Sequence, residues 1–207
     1  MSVVLTEKQW AAYFHDLRLC AYHEAGHAVA RLHLRLPFRY VTIDPDFAPD
    51  GSSGCIAGTG RTYRIDPGGR FSCHYRSNRY YVERHIISGY AGPEAERRYR
   101  RRRHVDPQTS AVDLAENAAL ALQLEGSEER ARAFTDWLHL ETRDLVGGCW
   151  WPEIKAVARA LNRYEYLSAK EVKEVISADI ARRSKRYRKT HHEAGGILPP
   201  EDKEDSL

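Results

Sequence analysis

The sequence lacks several features that would place it in a common class at once. Four cysteines occur in 207 residues. No two of them form a Cys-x-x-Cys pair, which disfavours a disulfide framework and a zinc site built from cysteines. No apolar run approaches the roughly 18 residues that a membrane-spanning helix requires, and residues 1–10 do not resemble a signal peptide. We therefore expect a cytoplasmic protein with reduced thiols that crosses no membrane.

A glycine-rich phosphate-binding loop of the G-x-x-x-x-G-K-[ST] type is also absent from the sequence. Any reaction that this chain carries out is therefore expected to proceed without ATP. The formal net charge is only +3, which does not by itself indicate a partner such as nucleic acid. Hydrophobic residues make up 42% and charged residues 29% of the chain, and this balance is typical of a globular protein with a sizeable core.

The most informative stretch is residues 23–27, which read His-Glu-Ala-Gly-His. Two histidines four residues apart lie on one face of a helix, where both imidazoles can bind one metal ion, usually zinc. Glu24 lies beside that face, where its carboxylate can take a proton from a water that the metal has made acidic. The alternative is a helix that buries two histidines and binds no metal. Gly26 lowers helix propensity by roughly 1 kcal/mol relative to alanine, so we expect another backbone or a substrate to approach it closely.

The periodicity of apolar residues and the positions of glycine and proline predict a mainly α fold. A small β-hairpin or sheet is expected beside the helix that carries the histidines. Its second strand could bind an extended peptide along its edge, or the sheet could equally do no more than cover the core. We expect one domain over residues 1–184 and a disordered charged tail over 185–207. The predicted helices cover residues 6–36, 76–103 with a break or kink at Pro93, 110–124, 127–146, 150–164 and 168–183, and the predicted strands cover 38–44 and 54–59.

A two-histidine zinc site needs a third protein ligand, and an acidic residue often supplies it. Asp113 is one candidate, but it follows Ser110 by three residues, so it could instead complete a variant capping box at the start of a helix. Glu94 and Glu96 are the competing candidates.

Residues 97–103 contain six arginines in seven positions. Such a run could bind nucleic acid or an acidic partner. It could equally be a solvated helix end, where cations interact favourably with the helix dipole. Only one aromatic residue interrupts the run and no nucleic-acid-binding motif accompanies it, so the solvated helix end is favoured.

Several blocks of the chain, in the right order, resemble the peptidase domain of the FtsH family. Residues 21–28 resemble its zinc motif, and residues 88–96 (Ser-Gly-Tyr-Ala-Gly-Pro-Glu-Ala-Glu) are similar to its Leu-Ala-Gly-Arg-Ala-Ala-Glu stretch. Residues 110–114 (Ser-Ala-Val-Asp-Leu) look like the segment that supplies that family's third zinc ligand, a role that the resemblance gives to Asp113. Residues 40–43 with 54–56 are similar to its strand pair, and residues 161–175 to its C-terminal helices. The resemblance spans residues 16–180.

The chain also departs from the FtsH pattern. The ATPase half and the membrane anchor of that family are not found in it, Pro93 replaces a usual arginine, and Arg97 stands where a second glutamate is frequent. The resemblance therefore implies peptidase chemistry without ATP-driven unfolding.

Together, the motif and the resemblance predict an ATP-independent zinc metalloendopeptidase that hydrolyses unfolded or extended polypeptides. His23, His27 and Asp113 would bind zinc, and Glu24 would be the general base and then the general acid. One alternative is a catalytically silent, peptidase-like module that binds an acidic protein or nucleic acid through residues 97–103. Another is a zinc hydrolase with a non-peptide substrate. A separate ATPase partner and a homo-oligomer remain open, whereas nucleic acid and membranes are not expected as partners.

Overall fold

A computed structural model describes residues 7–44, 54–56, 76–107 and 109–193. Within these ranges the fold is mainly α-helical with a small sheet, as the sequence predicts. The helices are α1 (Glu7–His33), α2 (Arg76–Tyr99), α3 (Ala111–Glu125), α4 (Glu128–Gly147), α5 (Trp151–Tyr164) and α6 (Ala169–Glu193), and the strands are β1 (Tyr40–Thr42), β2 (Gly54–Ile56) and β3 (Tyr166–Ser168).

Helix α1 lies at the centre of the fold, between α2 and α5. Its second half is rich in small apolar residues, and Ala21, Ala25, Ala28, Val29 and Ala30 are fully buried. Small side chains let neighbouring helices approach closely, and burial of this face supplies much of the hydrophobic free energy that holds the three helices together. The histidine motif is therefore held on a helix that is packed on two sides.

Strand β1 lies at the centre of a three-stranded antiparallel sheet in the order β2-β1-β3. Tyr40 pairs with Ile56 on one side and with Ser168 on the other. The two strands predicted from the sequence are confirmed, although β1 is shorter than the predicted strand over residues 38–44. Strand β3 was not predicted, because a three-residue strand carries almost no periodic signal and its partner lies more than 120 residues earlier.

Turn and capping residues explain where several helices begin and end. Ser168 and Glu171 form a capping box, in which the Ser168 backbone N–H donates to Glu171 Oε2 at 2.7 Å and the Glu171 N–H donates to Ser168 Oγ at 3.3 Å. Gly126 ends α3 in the left-handed conformation with φ 72°, which glycine adopts without strain. Ser127 then caps α4 by accepting from the Arg130 N–H.

The expected break at Pro93 is wrong, because α2 continues through Pro93 to Tyr99. An interior proline costs about 3 kcal/mol in a helix. Residues 90–96 are all buried, and their packing against neighbouring helices offsets that cost.

The predicted tail is also wrong over residues 185–193, because α6 extends to Glu193. Arginine and lysine have high helix propensity, and the capping box and the docked first half of α6 provide the nucleus from which this basic segment continues as helix. Residues 194–207 lie outside the described ranges, as does the end of the second predicted strand.

The close approach expected at Gly26 is confirmed. A Cβ at this position would lie 2.3 Å from the backbone oxygen of Ala91 and 2.9 Å from the Cβ of Ala95. Helices α1 and α2 therefore cross almost backbone to backbone at the histidine motif, and any larger residue would force them apart.

Two further sequence expectations concern membranes and thiols. Across the described ranges, no helix combines the length and the apolar character needed to cross a membrane. Cys20 and Cys149 form no disulfide with another described residue.

Candidate metal centre

Helices α1 and α3 bring His23, His27 and Asp113 together. The two Nε2 atoms lie 3.1 Å apart, Asp113 Oδ2 lies 3.2 Å from His23 Nε2, and Asp113 Oδ1 lies 3.4 Å from His27 Nε2. Among the described histidine, cysteine and carboxylate side chains, these three lie close enough together to hold a metal ion.

The three distances test whether zinc fits this group. Zinc binds imidazole nitrogen and carboxylate oxygen at 2.0–2.2 Å in tetrahedral geometry, so two ligand atoms should lie about 3.3 Å apart. The observed distances of 3.1, 3.2 and 3.4 Å are close to that separation, and each imidazole lies nearest to a different carboxylate oxygen of Asp113. Two imidazoles and one carboxylate are also a ligand set that leaves a fourth position open, as catalytic zinc sites do.

The outer nitrogens of both imidazoles are held by acceptors. His27 Nδ1 lies 2.8 Å from the backbone oxygen of Ser88, and His23 Nδ1 lies 3.3 Å from Glu96 Oε2. A carbonyl or an ionised carboxylate can only accept, so both Nδ1 atoms carry the hydrogen. When both imidazoles are neutral, both Nε2 atoms direct lone pairs towards each other and towards Asp113. Three acceptors converge on one point, and such an arrangement requires a positive charge at its centre.

Glu96 is itself fixed in position from its other side. Its Oε1 lies 3.0 Å from Arg100 Nε and accepts from Thr109 Oγ1 at 3.2 Å, and Arg100 in turn pairs with Asp106 at 3.2 Å. Burial raises the pKa of the Glu96 carboxyl, but His23 and Arg100 outweigh burial and lower it. Glu96 therefore stays ionised and orients His23 without reaching the centre of the group.

The pKa values of the group reflect the same need for a cation. Burial lowers the pKa of His23, but hydrogen bonds with Asp113 and Glu96 outweigh burial and raise it to about 10. Burial raises the pKa of Asp113, but the two histidines reverse this effect and hold it well below its usual range. The site therefore accepts either a proton or a metal ion as its positive charge.

The structure distinguishes Asp113 from the competing candidates by position. Ser110 makes no side-chain capping hydrogen bond, so the capping-box alternative for Asp113 is not what the structure contains. Glu94 Oε1 lies 2.7 Å from His139 and its Oε2 lies 2.6 Å from Arg97, which directs this carboxylate to the opposite side of α2.

Glu24 lies at the edge of a cavity of about 180 Å³ beside the group. The cavity is lined by residues of all three site helices, which include Glu24, His27, Ser88, Gly89, Glu116 and Asn117. Glu24 is only 6% exposed. A carboxylate that borders a cavity next to the ligand atoms is placed where a general base is needed.

Gly92 makes room for the ligand atoms. A Cβ at this position would lie 2.3 Å from His27 Nε2. Because the ring of His27 is held from behind by Ser88, it cannot move away from such a Cβ without losing that hydrogen bond. A glycine is therefore required beneath His27.

The arginine-rich segment is largely engaged inside the fold. Arg98 donates to the backbone oxygen of Val146 at 2.8 Å and lies 4.6 Å from the centre of the Trp151 ring. Four of the six arginines make ion pairs or hydrogen bonds with other described residues: Arg97, Arg98, Arg100 and Arg102. Arg101 and Arg103 are exposed. The segment thus presents less charge to a partner than the sequence indicates.

Sequence reasoning missed three contributors to the site. The Ser88 carbonyl reaches His27, and the Glu96 carboxylate reaches His23, only because helices α1 and α2 pack together. No local sequence pattern indicates either contact. Asn117 could have been found, because it follows Asp113 by four residues and therefore lies on the same face of α3.

Comparison with protein-family models finds no match to this chain, and comparison with curated proteins finds none either.

Proposed function

We propose that this chain is a zinc-dependent endopeptidase. The observation that carries the proposal is the convergence of His23, His27 and Asp113 within metal-binding distance of one another, with Glu24 beside them on a cavity. The resemblance of residues 21–28 and 110–114 to the FtsH-type peptidase domain supports it, because the residue that this resemblance selects as third ligand is the one that α3 brings to the histidines.

Zinc, when bound, polarises a carbonyl and makes a water acidic enough to lose its proton near neutral pH. The residues of the chain supply the remaining functions. Glu24 takes the proton of the attacking water and transfers it to the leaving amine. Glu96 and the Ser88 carbonyl hold the two imidazoles in the tautomer that binds metal.

The proposed substrate is a polypeptide in extended conformation. Strand β2 is an outer strand of the described sheet and contacts α1, the helix that carries the histidines. An outer strand can pair with an extended peptide through backbone hydrogen bonds. Folded proteins resist such binding because unfolding costs about 5–15 kcal/mol, so hydrolysis without ATP should be confined to unfolded segments.

The alternative of a silent module that binds an acidic partner through residues 97–103 is less well supported. Most of its arginines already have partners inside the fold. Binding of an acidic partner would therefore have to depend on Arg101 and Arg103. A cytoplasmic location and a separate ATPase partner stay predictions.

Hydrolysis of casein, a disordered protein, tests the proposal directly. Purified wild type loaded with zinc should cleave it at the same rate with and without ATP. Glu24→Gln should keep the fold and the zinc but lose turnover by roughly 10²–10⁴-fold. Glu174→Gln, which removes an exposed carboxylate on α6, is the matched control and should cleave normally. Equal rates for wild type and Glu24→Gln would exclude the assigned mechanism.

A further inference from the structure

Asn117 on α3 is a buried amide with an unsatisfied donor. Its side chain is 2% exposed, and its Nδ2 has no hydrogen-bond partner in the described part of the chain. Leaving a buried polar group unpaired costs about 1–3 kcal/mol. A buried amide without a structural partner therefore calls for an explanation in terms of something it binds.

The place of this amide in the site gives that explanation. Asn117 lines the same cavity as Glu24 and His27, one turn along α3 from Asp113. The amide lies close against the backbone of α2, because a Cβ at residue 89 would lie 2.2 Å from Asn117 Oδ1. Gly89 therefore lets the amide sit deep in the packing of α2 and α3, at the wall of the cavity that holds the general base.

We propose that Asn117 Nδ2 donates a hydrogen bond to a main-chain carbonyl of the polypeptide substrate, next to the scissile bond. This inference rests on the proposed peptidase function and identifies a substrate-binding residue of the same site.

Side chains four apart on a helix are about 5–6 Å apart, and an extended peptide advances about 3.3 Å per residue. A main-chain carbonyl one or two residues along the peptide from the scissile bond therefore lies about as far from that bond as Asn117 lies from Asp113. Such a carbonyl can meet Asn117 while the scissile bond lies at the metal ligands.

The chemistry of the amide suits this role. A main-chain carbonyl is a neutral acceptor that every polypeptide offers, so the contact adds affinity without selecting a side chain. A neutral donor also adds no charge beside Glu24 and leaves its carboxylate available as a base. Because Nδ2 makes no bond within the described fold, no existing hydrogen bond has to break when substrate arrives.

Binding of fluorescein-labelled casein to zinc-loaded protein in the Glu24→Gln background tests the proposal without relying on turnover. Adding Asn117→Leu should weaken casein binding by about fivefold to tenfold, where tenfold corresponds to 1.4 kcal/mol. The melting temperature should be unchanged or higher, since the substitution removes a buried donor that has no described partner, and one zinc per chain should remain. Asn117→Ala, which removes the donor without adding bulk, should show the same loss.

Asn162→Leu is the matched control. Asn162 lies on α5, where its amide donates to the backbone oxygen of Ala158 at 2.8 Å, and its loss should leave casein binding unchanged. Unaltered binding in both Asn117 variants would overturn the inference, and so would a loss of zinc that parallels the loss of binding. The separate comparison of wild type with Glu24→Gln decides the peptidase function itself, so the two can fail independently.

Discussion

Asp113 lies 90 positions from His23 in the sequence, and its role as a zinc ligand can be tested directly. Asp113→Asn should weaken zinc binding by roughly 100-fold or more, since an amide neither carries the negative charge nor binds zinc as well. Ser110→Ala is the control. Within the described residues the buried Ser110 hydroxyl has no hydrogen-bond partner, so its removal should leave stability unchanged or raise it.

Competition with a chromophoric chelator measures the zinc affinity of both variants, and thermal melting measures their stability. Retention of zinc by Asp113→Asn, together with destabilisation by Ser110→Ala, would favour the capping role for this pair.

The two perturbed pKa values predict how the stability of zinc-free protein depends on pH. The pKa of His23 is raised from 6.5 to about 10 in the fold. Its contribution is therefore complete below pH 6.5 and is lost as pH rises towards 10. The pKa of Asp113 is lowered from 3.8, so its contribution is complete above pH 3.8 and is lost in more acidic solution.

Chelator-treated protein should therefore lose melting temperature between about pH 6.5 and 10. His23→Asn should abolish most of that decline. A wild-type melting temperature that stays constant across this interval would contradict the prediction.

At the scale of the element, the crossing of α1 and α2 is the contact on which the site depends. Gly26→Ala places a methyl group against the rigid backbone of Ala91, and overpacking of this kind costs about 1–3 kcal/mol, which exceeds the gain in helix propensity of about 1 kcal/mol. The free energy of unfolding should therefore fall.

Gly147→Ala is the matched control for this substitution. A Cβ at residue 147 would meet only Arg98 Nη1, at 3.5 Å, which is an ordinary contact, so its stability should be unchanged or slightly raised. Denaturant unfolding of both variants decides the question, and equal effects would mean that the crossing tolerates bulk.

Local signals account for the parts of the fold that could be predicted. Capping residues such as Ser127 and Ser168 mark helix starts, and the four-residue spacing of His23 and His27 is a property of a single helix. The continuation of α2 through Pro93 was missed because the packing that stabilises it is tertiary. The contact between Glu96 and His23 joins residues 73 positions apart, so nothing local encodes it. Asp113 was one of three acidic candidates, and only the resemblance selected it over Glu94 and Glu96.

At the scale of the whole molecule, α1 and α2 make the most extensive contacts with other elements, and α6 departs from this pattern. The first half of α6 packs on the core through Val172 and Ile176. Asp179 is buried and pairs with Arg182 and Arg183. After Asp179, positions 181–190 are all exposed. The helix of 25 residues is about 37 Å long, so close to half of it extends away from the rest of the fold.

This geometry has a consequence for amide hydrogen exchange along α6. The exposed half carries Arg182, Arg183, Lys185, Arg186, Arg188 and Lys189, and like charges three and four residues apart destabilise a helix. Without core contacts, a helical segment of this length is marginal in water. Exchange protection should be strong around Val172 and Ile176, fall sharply beyond Arg183, and increase in the exposed half when salt screens the repulsion. Uniform protection to residue 190 would instead mean that another surface covers this half of α6 in solution.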